Sequence, residues 1–583
     1  MKTARLLISL VLLAGCAEQT DERHAAVGRE IVPVDVSLID GRPPAEALAP
    51  EQVLHRGNGQ EPQTLDPHQA EGVPSSNILR DLFEGLTAET TSGRIIPGAA
   101  QRWNISRDGL VYTFHLRRDG RWSNGDPVTA KDFVYSFQRV ASPETASSYI
   151  HMLAPIKNAG AVVTGELPPQ QLGVEALDEF TVQISLDSPT PYFLGLLNHS
   201  VTYPVHQASV ETHGSEFSRP GKLVSNGAYQ LSKWVVRSNI ELVKNPYYWD
   251  TDNTIIRQVN YYPIEDQSTE LQRYRSGELD WTDEVPSNLF EWLQKNLPSD
   301  LVVTPWLGSY YLGINLTREP FLEGLELRQA LALAIDRDIL TEKVTRFGEI
   351  PAYAFLPEGI PDYTPQAPEW AAWSQSDREQ EAVRLYSIAG YGPDNPLQIE
   401  LRYNSGENNK KVALAVASMW KQILGVETTL INEEWKVFLQ NRKQKAVTQV
   451  FRAGWISDYN DPFSFLELLH SENGRNDYGY TNSSYDVLLN DVAGERVPVR
   501  RRRLMEAAER MMLADQPVIP LYTYVTKRLV RPTLKGWENN IMDHHYSKHM
   551  YRVKELSKDA ASTESQEPPV ESEPPTEPSA GDS

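Results

Sequence analysis

The sequence predicts a protein of mixed α and β class that is built from several lobes. Its 583 residues are too many for one hydrophobic core, and the usual size of domains predicts about two to four lobes. Alternating apolar residues predict strands at Val111–Leu116 and at 180–186. Apolar residues at helical spacing predict helices among these strands, for example over 411–425, and no repeat period joins the segments.

Two of the predicted helices reveal their buried side in the sequence. The first follows the strand at 111 after a Gly-rich turn, and the second ends at Gly425, a residue type that commonly stops a helix. Residues three and four apart share one face of a helix, so their apolar members define the buried side. These are Phe133, Phe137 and Val140 in the first helix and Val412, Ala415, Met419 and Ile423 in the second.

The composition is that of an ordinary globular protein. With 40% hydrophobic and 23% charged residues, the body is expected to fold without a disulfide or a metal cluster. The formal charge of −22 argues against nucleic acid as a partner, because phosphate binding needs clustered lysine and arginine.

The N-terminus predicts export. Lys2 and Arg5 precede an apolar run over 6–14, which is too short for a bilayer span and typical of a secretory signal. The run ends at Cys16, the only cysteine, in a context that resembles the bacterial lipobox. We therefore expect a signal peptide at 1–15 and a lipid anchor on Cys16; the alternative is a chance or buried thiol. No other run is long enough to span a membrane.

Both ends of the chain are expected to lie outside the folded body. Residues 16–50 lack sustained periodicity and are typical of a spacer. Residues 557–583 consist largely of Glu, Pro, Ser and Thr, a composition that cannot bury enough surface to fold, so a disordered acidic tail is predicted.

A scan for catalytic motifs is negative. The mature body contains no Gly-x-Ser-x-Gly elbow, no His-Glu-x-x-His pair, no phosphate loop and no cysteine nucleophile. The sequence therefore predicts a protein that is not an enzyme and that needs no cofactor; a secreted peptidase is the rival from another class.

Two polar clusters could form binding sites, but for both an interpretation without a ligand is favoured. Asp543, His544, His545 and His549 are potential zinc ligands, but adjacent histidines on an extended chain point to opposite faces, so a surface strand without metal is favoured. The run 500–503 is all arginine and begins a helix, for which a solvated basic face is favoured over an anion site. The apolar face of that helix is predicted to be Leu504, Ala507, Ala508, Met511 and Met512.

The segment 451–469, FRAGWISDYNDPFSFLELL, allows two interpretations. Asp458 lies among aromatic residues just after a strand that contains Gly454, an arrangement suited to binding a cationic amine. The same residues are good turn formers, because Asp and Asn side chains bond their own backbone and Pro462 fixes φ.

Several long blocks in fixed order resemble the periplasmic oligopeptide-binding proteins of bacterial ABC importers. They include LDPHQAEGVPSSNILRDLFEGL from Leu65, LRRDGRWSNGDPVTAKDFVYSFQR from Leu116, VSNGAYQLSKWVVRSNIELVKNPYYW from Val224 and RAGWISDYNDPFSFL from Arg452. The resemblance extends from about 54 to 553.

The resemblance implies a fold. It is the periplasmic-binding-protein-like fold (type II, cluster C), a two-lobed Venus flytrap of α/β class with an extra α+β domain. Transferred by block, domain I comprises 51–83, 209–307 and 526–556, domain II comprises 84–208, and domain III comprises 308–525. Two crossing segments are expected to join domains I and III.

The resemblance also implies a site for short peptides. Asp458 takes the position that meets the ligand's α-ammonium, and Arg442 and Arg452 the positions that meet its carboxylate. Three groups of residues complete the expected site: Glu71, Gly72 and Val73 along the ligand backbone; Gly454, Trp455 and Ile456 on the strand that pairs with it; and Tyr149, Tyr311, Trp435 and Tyr524 as aromatic walls.

Departures from the family pattern concern the carboxylate end. Thr345 and Asn409 stand where relatives offer a lysine and a histidine, which predicts weaker length tolerance or a different placement of the carboxylates. The disulfide of relatives is missing, with Gly308 and Ile456 at its positions.

The expected function is capture of short peptides in the cell envelope and delivery to the permease and ATPase of an ABC importer. The protein is expected to be a monomer that faces the periplasm, on a membrane the sequence does not identify. The alternative with the same fold is a receptor for murein-derived peptides or a peptide sensor.

Overall fold

The computed structural model describes residues 30–31 and 44–555. The predicted signal peptide, Cys16 and the acidic tail at 557–583 lie outside the described residues. Within the described ranges, no helix is long and apolar enough to cross a bilayer.

The chain forms mixed strands and helices, as the sequence predicts. The strands are β1 (Glu30–Ile31), β2 (Val53–Gly57), β3 (Thr87–Glu89), β4 (Ile95–Pro97), β5 (Ala100–Ile105), β6 (Val111–Leu116), β7 (Val174–Asp178), β8 (Thr181–Ser185), β9 (Tyr229–Val235), β10 (Asn239–Lys244), β11 (Gln258–Tyr262), β12 (Leu301–Ile314), β13 (Ile350–Pro351), β14 (Gln398–Asn404), β15 (Glu427–Glu433), β16 (Val450–Ile456), β17 (Val518–Leu529), β18 (Leu534–Lys535) and β19 (Tyr551–Arg552).

The helices are α1 (Val73–Leu82), α2 (Ala130–Ala141), α3 (Ala159–Val163), α4 (Phe193–Leu196), α5 (Gln207–His213), α6 (Gln267–Arg275), α7 (Phe290–Asn296), α8 (Leu325–Leu333), α9 (Arg337–Ile339), α10 (Gln375–Ile388), α11 (Glu407–Leu424), α12 (Trp435–Gln444), α13 (Phe463–Leu466), α14 (Ser483–Gly494) and α15 (Pro498–Asp515). A π-helical turn, Leu340–Thr345, continues α9.

Three large sheets correspond to three parts of the chain. The segment predicted as domain II carries the antiparallel sheet β1-β5-β6-β8-β7 except for its edge strand β1, and the segments predicted as domain I carry the sheet β2-β11-β10-β9. The mixed six-stranded sheet β13-β17-β12-β16-β14-β15 lies mainly in the segment predicted as domain III. In that last sheet, alternate residues of β12 enter different cores, with Tyr310 and Leu312 on one face and Leu307 and Tyr311 on the other. Helices therefore cover both faces of the domain III sheet, the layering of an α/β domain.

Two long strands connect domains I and III. β12 and β17 pair antiparallel from Leu301↔Leu529 to Gly313↔Val518, and their register shifts between Pro305 and Ser309. Of the boundaries expected from the resemblance, 307/308 falls within this irregularity, and 525/526 falls one residue beyond it on β17. A register break in a two-stranded connection is a natural place for a hinge.

The two analysed helices differ in how well their buried sides were predicted. Phe133, Phe137 and Val140 are all buried in α2, so that prediction is confirmed. α11 ends at Gly425, with φ of 76°, as predicted. Its buried residues are Val412, Ala413, Val416, Trp420 and Leu424. Of the predicted stripe only Val412 is among them. Ala415, Met419 and Ile423 each lie one position before a buried residue and are partly buried at the edge of the core.

Three expectations need correction. The spacer at 16–50 is structured in part, because β1 pairs with β5 and the Ala49 amide donates to the Arg552 carbonyl at 2.9 Å. The histidine segment is not a surface strand: His545 is buried against Trp537, and the described residues hold no metal-binding cluster. The arginine run is not wholly solvated, since Arg501 is buried in an ion pair.

The apolar face of α15 was also only partly predicted. Ala508 and Met512 are buried as expected, but the buried side also carries Arg501, Met505, Glu509 and Leu513. A prediction based only on the spacing of apolar residues does not identify charged residues that lie on a buried face.

Candidate functional site

Two cavities meet at Asp458. Cavity A, of about 250 Å³, is lined by residues of all three domains, among them Val73, Tyr149, Ile456 and His544. Cavity B, of about 280 Å³, lies between domains II and III and shares Asp458 with cavity A. The junction of lobes is where proteins of this size commonly enclose a ligand.

Asp458 is presented by the end of β16 and the turn that follows it. The Ser457 amide donates to the Leu307 carbonyl at 2.8 Å and so fixes the chain just before Asp458. The Asp458 carboxylate is 28% exposed, and its Oδ2 lies 3.7 Å from His151 Nε2. It is therefore half-desolvated and has room for a further cation.

The turn itself belongs to Asp461 and Pro462. Asp461 Oδ1 accepts from the Phe463 amide at 2.9 Å, and Arg501 clamps both Asp461 oxygens at 2.6 and 2.8 Å. The two interpretations of this segment are thus compatible, because Asp461 makes the turn while Asp458 faces the cavities.

β16 offers an open edge beside Asp458. It pairs with β12 along its whole length, from Ile314↔Val450 to Gly308↔Ile456. On its other edge, β14 pairs only with Val450 and Phe451. Within residues 44–555, no strand pairs with that edge from residue 452 onward. Unpaired strand edges accept an extended chain by backbone hydrogen bonding.

Gly454 permits close packing on this strand. A Cβ atom at Gly454 would lie 2.5 Å from the Tyr524 hydroxyl oxygen, so no larger residue fits without displacing Tyr524. Arg452 Nη2 donates to the same hydroxyl at 2.7 Å. Gly454, Arg452 and Tyr524 therefore form one contact set on the face shared by alternate residues of β16.

The two candidate arginines have different surroundings. Arg442 is paired with Asp477 at 2.8 Å, with both side chains largely buried. Arg452 packs over the Tyr310 ring, 4.8 Å from its centroid, and no carboxylate of the described chain lies within ion-pair distance of it. Arg452 thus remains available for an external carboxylate, whereas Arg442 already has an internal one.

The departures from the family pattern lie at two different places. Asn409 accepts from the Tyr310 hydroxyl at 3.2 Å and so neighbours Arg452. Thr345 donates to Glu349 at 2.8 Å, and Glu349 pairs with Lys527 at 3.2 Å. The other departing pair, Gly308 and Ile456, are direct cross-strand partners.

The segment 66–73 carries three predicted site residues and is anchored to domain II. Arg139 of α2 donates to both Asp66 oxygens at 3.0 and 2.6 Å. Gly72 has φ of 80°, a left-handed conformation that suits glycine, and precedes Val73 at the start of α1. Gly72 and Val73 line cavity A, while Glu71 accepts a hydrogen bond from the Ser148 hydroxyl.

His68 is held neutral within this anchor. Arg139 Nη1, which can only donate, lies 2.7 Å from His68 Nδ1, so the ring proton resides on Nε2, 3.0 Å from the Tyr203 carbonyl oxygen. Burial, reinforced by the Arg139 charge, lowers the pKa of His68 to about 4.

We expect His68 to make the protein less stable in acid. The unfolded histidine titrates near pH 6.5 and the folded one near 4, so between these values the unfolded state binds more protons and stability falls as pH falls. At pH 5 the loss is about 2 kcal/mol relative to pH 7.5. Urea unfolding at both pH values, for wild type and His68→Gln, measures it. If both proteins lose the same free energy of unfolding between pH 7.5 and pH 5, His68 does not contribute to the loss. The other histidines are present in both proteins, so their contributions cancel in the comparison.

The aromatic and histidine walls of cavity A are electrostatically coupled to Asp458. The Tyr149 ring packs on His199 at 4.5 Å between centroids. Burial, with the nearby charges of Asp458 and Glu71, raises the pKa of Tyr149. Burial lowers the pKa of His199 to about 4 despite Asp458, so His199 is neutral at physiological pH.

Several predicted residues line neither cavity, namely Glu71, Tyr311, Arg442, Arg452, Gly454 and Tyr524. Tyr311 is 1% exposed, packs in the domain III core and bonds the Tyr478 hydroxyl at 2.7 Å. Trp435 begins α12, and its side chain lies outside what the structure describes. Trp455 lines cavity B and Ile456 lines cavity A, from opposite faces of β16.

The structure adds residues that the sequence did not single out. His544, considered above only as a potential zinc ligand, lines cavity A. The new residues are Arg80 and His199 in cavity A and His151 and Arg475 in cavity B. None of them belongs to a motif with chemical spacing. No shared sequence pattern marks these residues, so only the fold reveals them.

Comparison with known proteins identifies relatives over nearly the whole chain. The model of the bacterial extracellular solute-binding proteins, family 5, matches residues 94–477. The periplasmic oligopeptide-binding protein OppA of Salmonella typhimurium is 43% identical over 516 residues, covering 88% of this chain and 94% of the relative.

Solved structures give the same result. The unliganded open form of the murein tripeptide-binding protein MppA superposes with a TM-score of 0.80 at 41% identity, covering 88% of this chain and 99% of the other. Haemophilus influenzae OppA in complex with RPPGFSPFR superposes with a TM-score of 0.70 at 37% identity, covering 87% and 100%. These neighbours confirm the predicted two-lobed α/β fold, and the chain belongs to family 5 of the bacterial extracellular solute-binding proteins, in its OppA-like group.

Proposed function

We propose that this protein captures short peptides in the cell envelope and delivers them to the permease and ATPase of an ABC importer. The observation that carries the proposal is an open strand edge with opposite charges at its two ends. Asp458 lies beyond one end of the β16 edge, and Arg452, without a carboxylate partner in the described chain, begins the other. A peptide carries the complementary charges at its own two ends.

The dimensions suit short peptides. At about 3.3 Å per residue, the six steps from Arg452 to Asp458 span roughly 20 Å along an extended strand. The two side chains and their hydrogen bonds to the ligand take up part of this span, so we expect a peptide of about three to five residues. Backbone pairing with β16 would supply affinity independent of peptide sequence.

The cellular setting follows from the relatives and from the leader sequence. Named relatives are periplasmic binding proteins. We infer that this protein faces the periplasm as a monomer, tethered by a lipid on Cys16, and performs no chemistry on its ligand. Closure of the lobes around peptide is the signal that the permease recognises.

The direct test is to incubate the purified protein with a defined peptide mixture and to analyse the bound fraction by mass spectrometry after denaturation. Intact peptides of about three to five residues are expected. Peptide fragments would favour a peptidase, and an empty bound fraction would overturn the proposal.

A second candidate ligand is a murein-derived peptide with γ-linked or diamino acids. Two observations favour it: the changed residue Asn409, which neighbours Arg452 through Tyr310, and the 41% identity to MppA. Mass spectrometry of ligands that copurify from the native host distinguishes the two, because γ-linked peptides resist ordinary peptidases and contain diamino acids.

We expect restoration of the family residues to broaden the accepted peptide length. Asn409→His places a potential cation beside Tyr310 and Arg452, where a carboxylate at a different distance from Asp458 could reach it. Calorimetric titration with di- to pentapeptides should show a narrower length range for wild type than for Asn409→His. A wild type that already binds all four lengths equally would contradict this prediction.

A further inference from the structure

Cavity B has features that amine and carboxylate binding do not use. It lies on the other side of Asp458 from cavity A, between the domain II residues His151 and Tyr192 and the domain III residues Trp455 and Arg475. Its volume of about 280 Å³ is ample for one amino-acid side chain. Because it borders Asp458 directly, it is accessible to the part of a ligand nearest that residue.

Arg475 brings a cation to the lining of cavity B. Its guanidinium carbon lies 5.0 Å from the centroid of the Trp455 ring. The Arg475 amide donates to Asn473 Oδ1 at 2.8 Å, and the next residue, Asn476, donates to the Tyr480 carbonyl at 2.8 Å. These bonds fix the backbone of the loop, and the contact with the Trp455 ring places the guanidinium of the exposed Arg475 beside cavity B.

Arg475 also has no counter-ion among the residues that the structure describes. Among residues 44–555, no carboxylate lies within ion-pair distance of its guanidinium. Cavity B contains Glu467, but that carboxylate accepts from the Tyr459 hydroxyl at 3.0 Å, and burial raises the pKa of Glu467 to about 7. At neutral pH Glu467 therefore carries a proton for much of the time.

The other carboxylate on cavity B is already engaged. Asp458 lies 3.7 Å from His151, and under the proposed function it also meets the ligand's ammonium. With Asp458 neutralised and Glu467 partly protonated, the uncompensated charge around cavity B is positive.

We propose that cavity B receives an acidic side chain of the bound peptide and that Arg475 is the residue that selects it. The inference rests on the proposed function, which places the peptide's amine at Asp458. An extended chain advances about 3.3 Å per residue, so a side chain that enters a cavity bordering Asp458 belongs to one of the first three residues. A carboxylate there can accept two parallel hydrogen bonds from the guanidinium fork.

The test uses the full chain and alanine tetrapeptides that carry glutamate, glutamine or lysine at position 1, 2 or 3. Calorimetric titration should show that, at one position, the glutamate peptide binds roughly five- to tenfold tighter than its glutamine counterpart. Arg475→Gln should abolish this preference, measured as the ratio of the affinities for the glutamate and glutamine peptides, so that any general change in peptide affinity cancels. Arg475→Lys should retain part of it, because lysine keeps the charge and loses the fork.

A matched control is Arg503→Gln, which removes an exposed arginine from α15, away from both cavities, and should keep the preference. Equal affinities for glutamate and glutamine peptides at all three positions would overturn the inference while leaving peptide binding intact. A preference for lysine, or a glutamate preference that survives Arg475→Gln, would also overturn it. Failure of every peptide, tetra-alanine included, would instead overturn the proposed function and this inference with it.

Discussion

Asp458→Asn is expected to weaken peptide binding about 30-fold to 1,000-fold, which corresponds to roughly 2–4 kcal/mol, while leaving the fold intact. The substitution removes the charge that pairs with the ligand's ammonium in a half-desolvated cavity but keeps the size of the side chain. No turn bond depends on it, because Asp461 makes the turn. Calorimetric titration with a tripeptide measures the loss, and thermal unfolding checks the fold.

Two controls isolate the charge pair. Asp491→Asn removes an exposed carboxylate from α14 of the same domain and should leave affinity unchanged. An N-acetylated tripeptide should bind wild type weakly and should lose little further affinity in Asp458→Asn, because the pair is already broken. Full affinity of Asp458→Asn for a free-amine tripeptide would remove Asp458 from the site.

Arg452→Gln is expected to weaken binding of a peptide with a free carboxylate by about 10-fold to 100-fold, or roughly 1.4–2.7 kcal/mol. The reason is that Arg452 has no internal carboxylate in the described chain and lies at the start of the open β16 edge. A C-terminally amidated peptide should lose affinity for wild type and should not distinguish wild type from the variant. A variant that binds the free-carboxylate peptide as tightly as wild type would exclude this role.

Comparison with Arg442→Gln tests which of the two arginines binds the ligand's carboxylate. Arg442 pairs with the largely buried Asp477, so its removal leaves an uncompensated carboxylate and should cost about 3 kcal/mol of stability. Its effect on tripeptide affinity should be smaller than that of Arg452→Gln. The reverse order of the two affinity losses would assign the ligand's carboxylate to Arg442.

The predictions that succeeded from sequence depend on local pattern. The helix α2, with Phe133, Phe137 and Val140 on its buried side, follows from apolar spacing, and the stop of α11 at Gly425 follows from the left-handed conformation that glycine accepts. The buried side of α15 could not be predicted in full. Arg501 and Glu509 lie on it because each finds partners on distant segments, and periodicity contains no information about partners.

The residues of the candidate site could also be predicted only in part from the sequence. Sequence blocks brought Gly72, Val73, Tyr149, Ile456 and Asp458 to one predicted site, and the structure lines cavity A with all five. Tyr311 matched the same family pattern but enters the domain III core, since alternate residues of β12 face different cores.

By itself, the sequence determined the mixed α and β class, the helices and strands with clear periodicity, and the position of Asp458 just ahead of a turn. Only the tertiary structure decided which charges remain available: Arg442 is neutralised by Asp477, Arg452 and Arg475 have no carboxylate in the described chain, and His151 approaches Asp458 from another domain. The physical reason is that secondary structure follows from neighbours along the chain, whereas the balance of charge in a cavity depends on side chains brought together from separate lobes.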